Sequence, residues 1–232
     1  MLSVADIHRM NLGYFIRPAE ETGTGQPRVE PVLGYLVAHP EGPLLFDTGL
    51  GQTDADTEGH YRPRRRPLAE ALHQTDTAIG DVRWVVNCHL HFDHCGGNPA
   101  FAGRPIVVQS VELASARQPE YTVGELVDFT DTTYEEIDGE VELVPGIWIV
   151  PTPGHTAGHQ SLVARCDDGT VILAGQAHDT ASAYAAELRA AQAQREGIRE
   201  GLPTFRAWIQ RLQEFDPRRI VFAHDSSVVE PL

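Results

Sequence analysis

"NCHLHFDHCGGN", residues 87–98, decides how this chain is read. His89, His91, Asp93 and His94 fall within six positions, directly after the apolar run "RWVV" and just before a Gly-Gly pair. Imidazole nitrogen and carboxylate oxygen suit zinc, and also iron, manganese or cobalt. Two histidines two apart in an extended segment point the same way and can pinch one ion. Asp93 and His94 lie on the turn that follows and point elsewhere, which suits a second ion nearby. The glycines let the backbone turn tightly beside them. A metal-free, solvated loop rarely collects such a set behind a buried-type strand.

Working outward, further ligands stand at other strand ends. "TPGHTAGHQS" puts His155 on a Pro-Gly turn after "IWIV", and "FAHDSS" puts His224 after "RIVF". "LLFDTG" puts Asp47 in a similar place, as a carboxylate that orients a ligand histidine from behind. Cys88 and Cys95 flank the cluster, and each neighbours an assigned histidine, so they read as packing or supporting groups.

The rest alternates short strands and helices. "PVLGYLVAH" and "GPLLFDTG" read as paired strands, "DVRWVVNCH" as a buried strand, and "RPIVVQS" with "SVELASARQ" as strand then helix. "VELVPGIWIVPTPGH", "QSLVARCDDG" and "TVILAGQ" read as consecutive strands, and "RRIVFAHD" as the last. "RPLAEALHQTD", "TASAYAAELRAAQAQREG" and "LPTFRAWIQRLQEF" read as helices. The stretch around Tyr184 to Leu188 follows Gln176 and is expected to roof the site, while "YFIRPAEETGTGQPRVEP" reads as a mobile Gly/Pro-rich flap. No linker interrupts the pattern, so the reading is one domain, 1–232, of mixed α and β class, with two sheets covered by helices.

Composition bounds the function. Asp+Glu is 33 against 18 Lys+Arg, a net charge of −15, which repels nucleic acid and anionic membranes but not metal cations. No stretch approaches the roughly 20 apolar residues of a membrane helix. The N-terminus lacks a basic start with a long apolar core, and three cysteines do not make a disulfide framework, so the expected location is the cytoplasm. "HYRPRRRP" at 60–67 is a basic island: a solvated loop, a loop that greets an anionic substrate at the mouth, or a contact in a homodimer. Ser161 and Ser110 lack the G-x-S-x-G setting of a serine hydrolase.

"FDTG" at 46–49, "HLHFDH" at 89–94, "TPGHTAGH" at 152–159 and "AH" at 223–224 together resemble the metallo-β-lactamase fold superfamily, in its order and over most of the chain. The resemblance implies an αββα sandwich of two mixed β-sheets flanked by helices, with the site at one edge. It implies one zinc ion on His89, His91 and His155, a second on Asp93, His94 and His224, and a water held between them. "HLHFDHCGGN" and "PTPGHTAGHQSLVA" look most like the N-acyl-homoserine lactonases and pyridoxolactonase. That implies a small-molecule lactone or ester substrate and hydrolysis of the ring, with Asp93 as general acid. Glyoxalase II-like thioesterases share much of the pattern and stand as the alternative. A metal-binding protein with impaired catalysis is another, because the chain departs from the family at Gln176, where an aspartate normally bridges the ions. Gln176 either offers its oxygen to one ion or yields to His178 or Asp179 just beyond. Strand register favours Gln176, since positions two and three later point elsewhere. The lactonases carry a tyrosine three residues after that aspartate; here the place is Asp179.

Overall fold

The computed structural model describes residues 2–231. Strands β1 (Ile7–Arg17), β2 (Arg28–Val37), β3 (Leu44–Phe46), β4 (Arg64–Arg65), β5 (Trp84–Val86), β6 (Pro105–Gln109) and β7 (Thr133–Ile137) make one sheet, in the order β4-β1-β2-β3-β5-β6-β7. Strands β8 (Val141–Val144), β9 (Ile147–Pro151), β10 (Gln160–Ala164), β11 (Thr170–Leu173) and β12 (Pro217–Val221) make the other, in the order β12-β11-β10-β9-β8. Both sheets are mixed: β3, β5, β6 and β7 run parallel, as do β11 and β12, and the remaining pairs are antiparallel. The helices are α1 (Ala55–Tyr61), α2 (Leu68–His73), α3 (Ser110–Ala116), α4 (Gly124–Val127), α5 (Ala181–Arg195) and α6 (Ala207–Gln213).

The period of two along each strand builds this layering. On β2, Leu33, Tyr35 and Val37 enter the core between the sheets, while Val32 and Leu36 enter the core on the opposite face with α2 and α3. On β6, Val107 faces inward and Ile106 and Val108 outward. The second sheet repeats the arrangement: Leu162 and Leu173 face the first sheet, whereas Val163, Ile172 and Ile220 pack under α5 and α6. Strands apolar on both faces are what a sheet covered on both sides requires. Two sheets with a helical layer outside each are the sandwich expected from the sequence.

Two local expectations are corrected. The stretch read as a mobile flap has strand at both ends, with residues 18–27 as the turn between them. Tyr14–Arg17 belong to β1 and Arg28–Pro31 to β2, in continuous register from Tyr14↔Pro31 to Arg17↔Arg28, so only the turn between them is irregular. The Gly/Pro composition belongs to that turn, and the charged strand ends hid the pairing.

The helix expected to roof the site also lies elsewhere. Tyr184 and Leu188 on α5 are buried with Trp208, Ile172 and Phe222 on the outer face of the second sheet. Its Thr start is real: the Thr180 hydroxyl accepts from the Ala183 amide. The basic island forms part of the sheet edge. β4 pairs with β1, and Arg65 donates to the Gly51 carbonyl and to Glu58, so it braces the α1 loop. Arg64 keeps the edge charged, which discourages pairing with another strand. Among the described residues, no helix is long and apolar enough to cross a membrane.

Candidate metal centre

Parallel strands end on one side of a sheet, and here both sheets end on the same side. Asp47 follows β3, His89 to His94 follow β5, His155 follows β9, Gln176 follows β11 and His224 follows β12. Hydrogen bonds lock these ends together. The Leu33 amide donates to the Ala223 carbonyl at 2.9 Å, Gln160 N–H to the Cys88 carbonyl at 2.8 Å, and Asp47 N–H to the Val86 carbonyl at 2.9 Å.

The loops bring the candidate ligands into two adjoining clusters. In the first, His91 Nδ1 lies 3.0 Å from His89 Nε2 and 3.1 Å from His155 Nε2. In the second, Asp93 Oδ2 lies 3.2 Å from His224 Nε2 and 3.4 Å from His94 Nε2, and the two histidine nitrogens are 3.0 Å apart. The Gln176 oxygen Oε1 is 3.2 Å from His94 Nε2. Gln176 therefore stands at the second cluster, although it lies three residues past the end of β11 and strand register does not set its direction. His178 turns away, to Glu187 at 2.9 Å and to Arg206. Asp179 does not turn away: its Oδ1 accepts from Gln176 Nε2 at 3.2 Å. The loop after β11 has left the strand register by that point, so alternation no longer sets its direction.

The donor chemistry fits divalent cations. A neutral imidazole has one N–H and one lone pair. His94 Nδ1 donates to Asp47 Oδ2 at 3.0 Å, and His224 Nδ1 donates to the Pro31 carbonyl at 2.9 Å. Their Nε2 lone pairs are thereby aimed into the cluster. Cys88 Sγ lies 3.1 Å from His89 Nδ1 and does the same for the first cluster. Asp47 also accepts from the Cys88 amide at 2.8 Å, so its left-handed backbone (φ 64°) serves both loops. Donor atoms converging at about 3 Å suit a cation at each centre, which would take the place of a proton shared there.

Electrostatics points the same way. Burial, with the neighbouring histidines, pushes His89 well below its ordinary value and His155 down to about 3, so both stay neutral, as metal ligands must. Burial alone would raise Asp93. The neighbouring His94 and His224 outweigh it and hold the carboxyl well below the usual range. Burial opposes charge on His94, yet the carboxylates Asp93 and Asp47 draw a proton there, which an entering cation would replace.

Two contributors escaped the sequence reading. His159 is buried, donates from Nδ1 to the Thr152 hydroxyl at 2.8 Å, and accepts the Gln176 amide at 3.1 Å. The second histidine of "TPGHTAGH" was its only signal. Glu112, on α3, accepts the Leu90 amide at 2.8 Å, the Thr156 hydroxyl at 2.7 Å and the Tyr121 hydroxyl. A lone glutamate in a short helix carries no signal at all.

A cleft of about 1040 Å³ opens over both clusters, reaching His91, Asp93, His155 and Gln176. Phe15, Tyr61 and Phe92 pack against one another along one wall, Phe15 and Tyr61 edge to face, and Tyr121 leans on His91 at 4.8 Å on the other.

Comparison with known proteins agrees with this architecture. An N-acyl homoserine lactonase of Bacillus sp is 35% identical over 156 residues, 62% of this chain and 62% of its own length, so the match spans less than two thirds of that relative. The lactonase AttM of Rhizobium radiobacter is 27% identical over 177 residues, 65% of this chain and 66% of that protein. A Bacillus thuringiensis AiiA structure with N-decanoyl-L-homoserine at its active site has a TM-score of 0.76 and 26% identity, covering 97% of this chain and 94% of that one. The dizinc lactonase AidC shares the fold, with a TM-score of 0.67 at 16% identity over 95% of this chain and 87% of that one. The profile of the Metallo-beta-lactamase superfamily matches residues 27–224, and the chain belongs to that superfamily.

Proposed function

We propose that this protein is a zinc-dependent hydrolase that opens the ring of a lactone of the acyl-homoserine class. The observation that carries the proposal is the pair of adjoining ligand clusters on the cleft floor, with donor atoms 3.0 to 3.4 Å apart. Relatives named as lactonases, and an N-acyl homoserine lactone hydrolase structure with N-hexanoyl-L-homoserine at its catalytic metal centre, support the choice of substrate. His89, His91 and His155 would hold one ion, and Asp93, His94, His224 and the Gln176 oxygen the other. Such ions polarise an ester carbonyl and make a nearby water acidic near neutral pH.

The chain's own part is positioning and proton transfer. The aromatic wall of Phe15, Tyr61 and Phe92 offers apolar area to an acyl arm and keeps bulk water from the floor. Asp93 stands buried in the second cluster and lines the cleft, where its carboxylate can take a proton from the attacking water. That proton passes to the ring oxygen as the ester bond breaks, leaving a hydroxy acid. The lactone's own leaving oxygen stays tethered, so no protein nucleophile is needed.

The test is proton release in weak buffer, with zinc-loaded and metal-stripped protein. Acyl-homoserine lactones with short and long arms, an aromatic lactone, linear esters and thioesters form the panel. Ring opening by the loaded protein alone is expected. Thioester turnover without lactone turnover would move the protein to the thioesterase class. No turnover of any substrate would leave a metal-binding protein without this catalysis.

A further inference from the structure

An amide side chain has two unlike ends, one oxygen acceptor and one NH₂ donor. At Gln176 the difference decides the site, because only the oxygen can contribute to holding a cation. Gln176 is 2% exposed and sits on the loop between β11 and α5. Its oxygen faces His94 Nε2 at 3.2 Å, and its NH₂ end donates to Asp179 Oδ1 at 3.2 Å. The other Asp179 oxygen is 3.5 Å from Arg28 Nη2.

Arg28 is itself anchored. With Arg17 it grips the carboxylate of Glu30, which is 1% exposed, and the Arg28 Nε and Arg17 Nε each donate to Glu30 Oε1 at 2.7 Å. A chain of contacts therefore runs from the buried hairpin pair through Arg28 and Asp179 to the Gln176 amide, and ends at the second cluster. Turning the amide over would set its oxygen against the Asp179 carboxylate, two acceptors with no proton between them.

We propose that Asp179 is the positioning residue for Gln176: by accepting from the amide NH₂ it makes the carbonyl oxygen the end that faces Asp93, His94 and His224. Asp179 touches neither substrate nor ion in this role. The inference rests on the reading of the two clusters as a metal centre. It gives the amide at position 176 a fixed polarity, held by a hydrogen bond from outside the site.

The experiment measures zinc affinity directly, by competition with a chromophoric chelator on the metal-stripped full chain. The first and second equivalents are resolved separately. Asp179→Ala should weaken the second equivalent about 10- to 100-fold and leave the first within threefold. Asp179→Asn keeps a carbonyl that can accept from the amide and should recover most of the loss. In a Gln176→Ala background, Asp179→Ala should change the second affinity little, because nothing is left to orient.

Since Asp179 is half exposed, these variants should keep the wild-type fold, checked by circular dichroism. An unchanged second affinity in Asp179→Ala overturns the inference. So does a loss that persists in the Gln176→Ala background, or an Asp179→Asn variant no better than alanine. Uptake of only one ion by the wild-type chain at saturating zinc would overturn the reading of the site, and the inference with it.

Discussion

Glu112 is 1% exposed and has no cationic partner among the described residues, yet each of its hydrogen-bond contacts is a donor. Leu90 lies between His89 and His91, Thr156 follows His155, and the Tyr121 ring covers His91. One carboxylate thus spaces the three histidines of the first cluster, which come from two separate loops. A carboxylate accepts from all three at once, with charge-assisted bonds. Glu112→Gln keeps the volume but turns an NH₂ against an N–H or O–H. The first zinc equivalent should bind about 10- to 100-fold more weakly, read by chelator competition, with the far-ultraviolet spectrum unchanged. Unchanged affinity would reduce Glu112 to packing.

Between elements, the loops after β3 and β5 are stitched backbone to backbone. Thr48 N–H donates to the His94 carbonyl at 2.7 Å, Gly51 N–H to Phe92 at 2.7 Å and Gly96 N–H to Gly49 at 2.8 Å. The loop that carries Asp93 and His94 is thus held by the main chain of the segment just past Asp47, residues 48–51. Gly96 is where the two backbones come closest: a Cβ there would lie 1.8 Å from the Gly51 nitrogen. Gly96→Ala should therefore cost about 3 kcal/mol or more in urea unfolding, because backbone cannot step aside as a side chain can. Gly59, inside α1, has nothing within 4 Å of its would-be Cβ. Gly59→Ala should instead stabilise by about 0.5 to 1 kcal/mol through helix propensity. Equal effects at the two positions would contradict the stitched-loop account.

For the molecule as a whole, both sheets and loops far apart in sequence meet at the two clusters, so cation binding is coupled to the global fold. Zinc at about 100 times its Kd should add about 2.7 kcal/mol of stability, a rise of about 5 to 10 °C in Tm for a chain of this size. Chelation should reverse it. The loss should come in two steps. The first cluster is three neutral histidines held by Glu112, whereas the second includes the neutral Gln176 amide and must displace a proton from His94. Mild chelation should leave close to one metal per chain by elemental analysis. Two ions leaving together would show that the clusters bind as a unit.

What the sequence by itself determined was the class of fold, and it named side chains that the structure gathers into the two clusters. His89, His91, Asp93 and His94 are crowded into one local run, and His155, His224, Asp47 and Gln176 each stand just past a strand whose apolar pattern is local too. Information of that kind survives in one dimension. The tertiary structure alone decided which polar groups serve those ligands. Glu112 looks in sequence like any solvated side chain, and the roles of Glu112, His159 and Asp179 come from partners up to 44 residues away. It also decided the cleft walls. The β1–β2 hairpin supplies Phe15, and α5 packs outside the second sheet because its apolar residues meet Ile172 and Phe222 there. A residue's chemistry is fixed by its type, but its desolvation is set by whatever chain folds over it, and that is a non-local property.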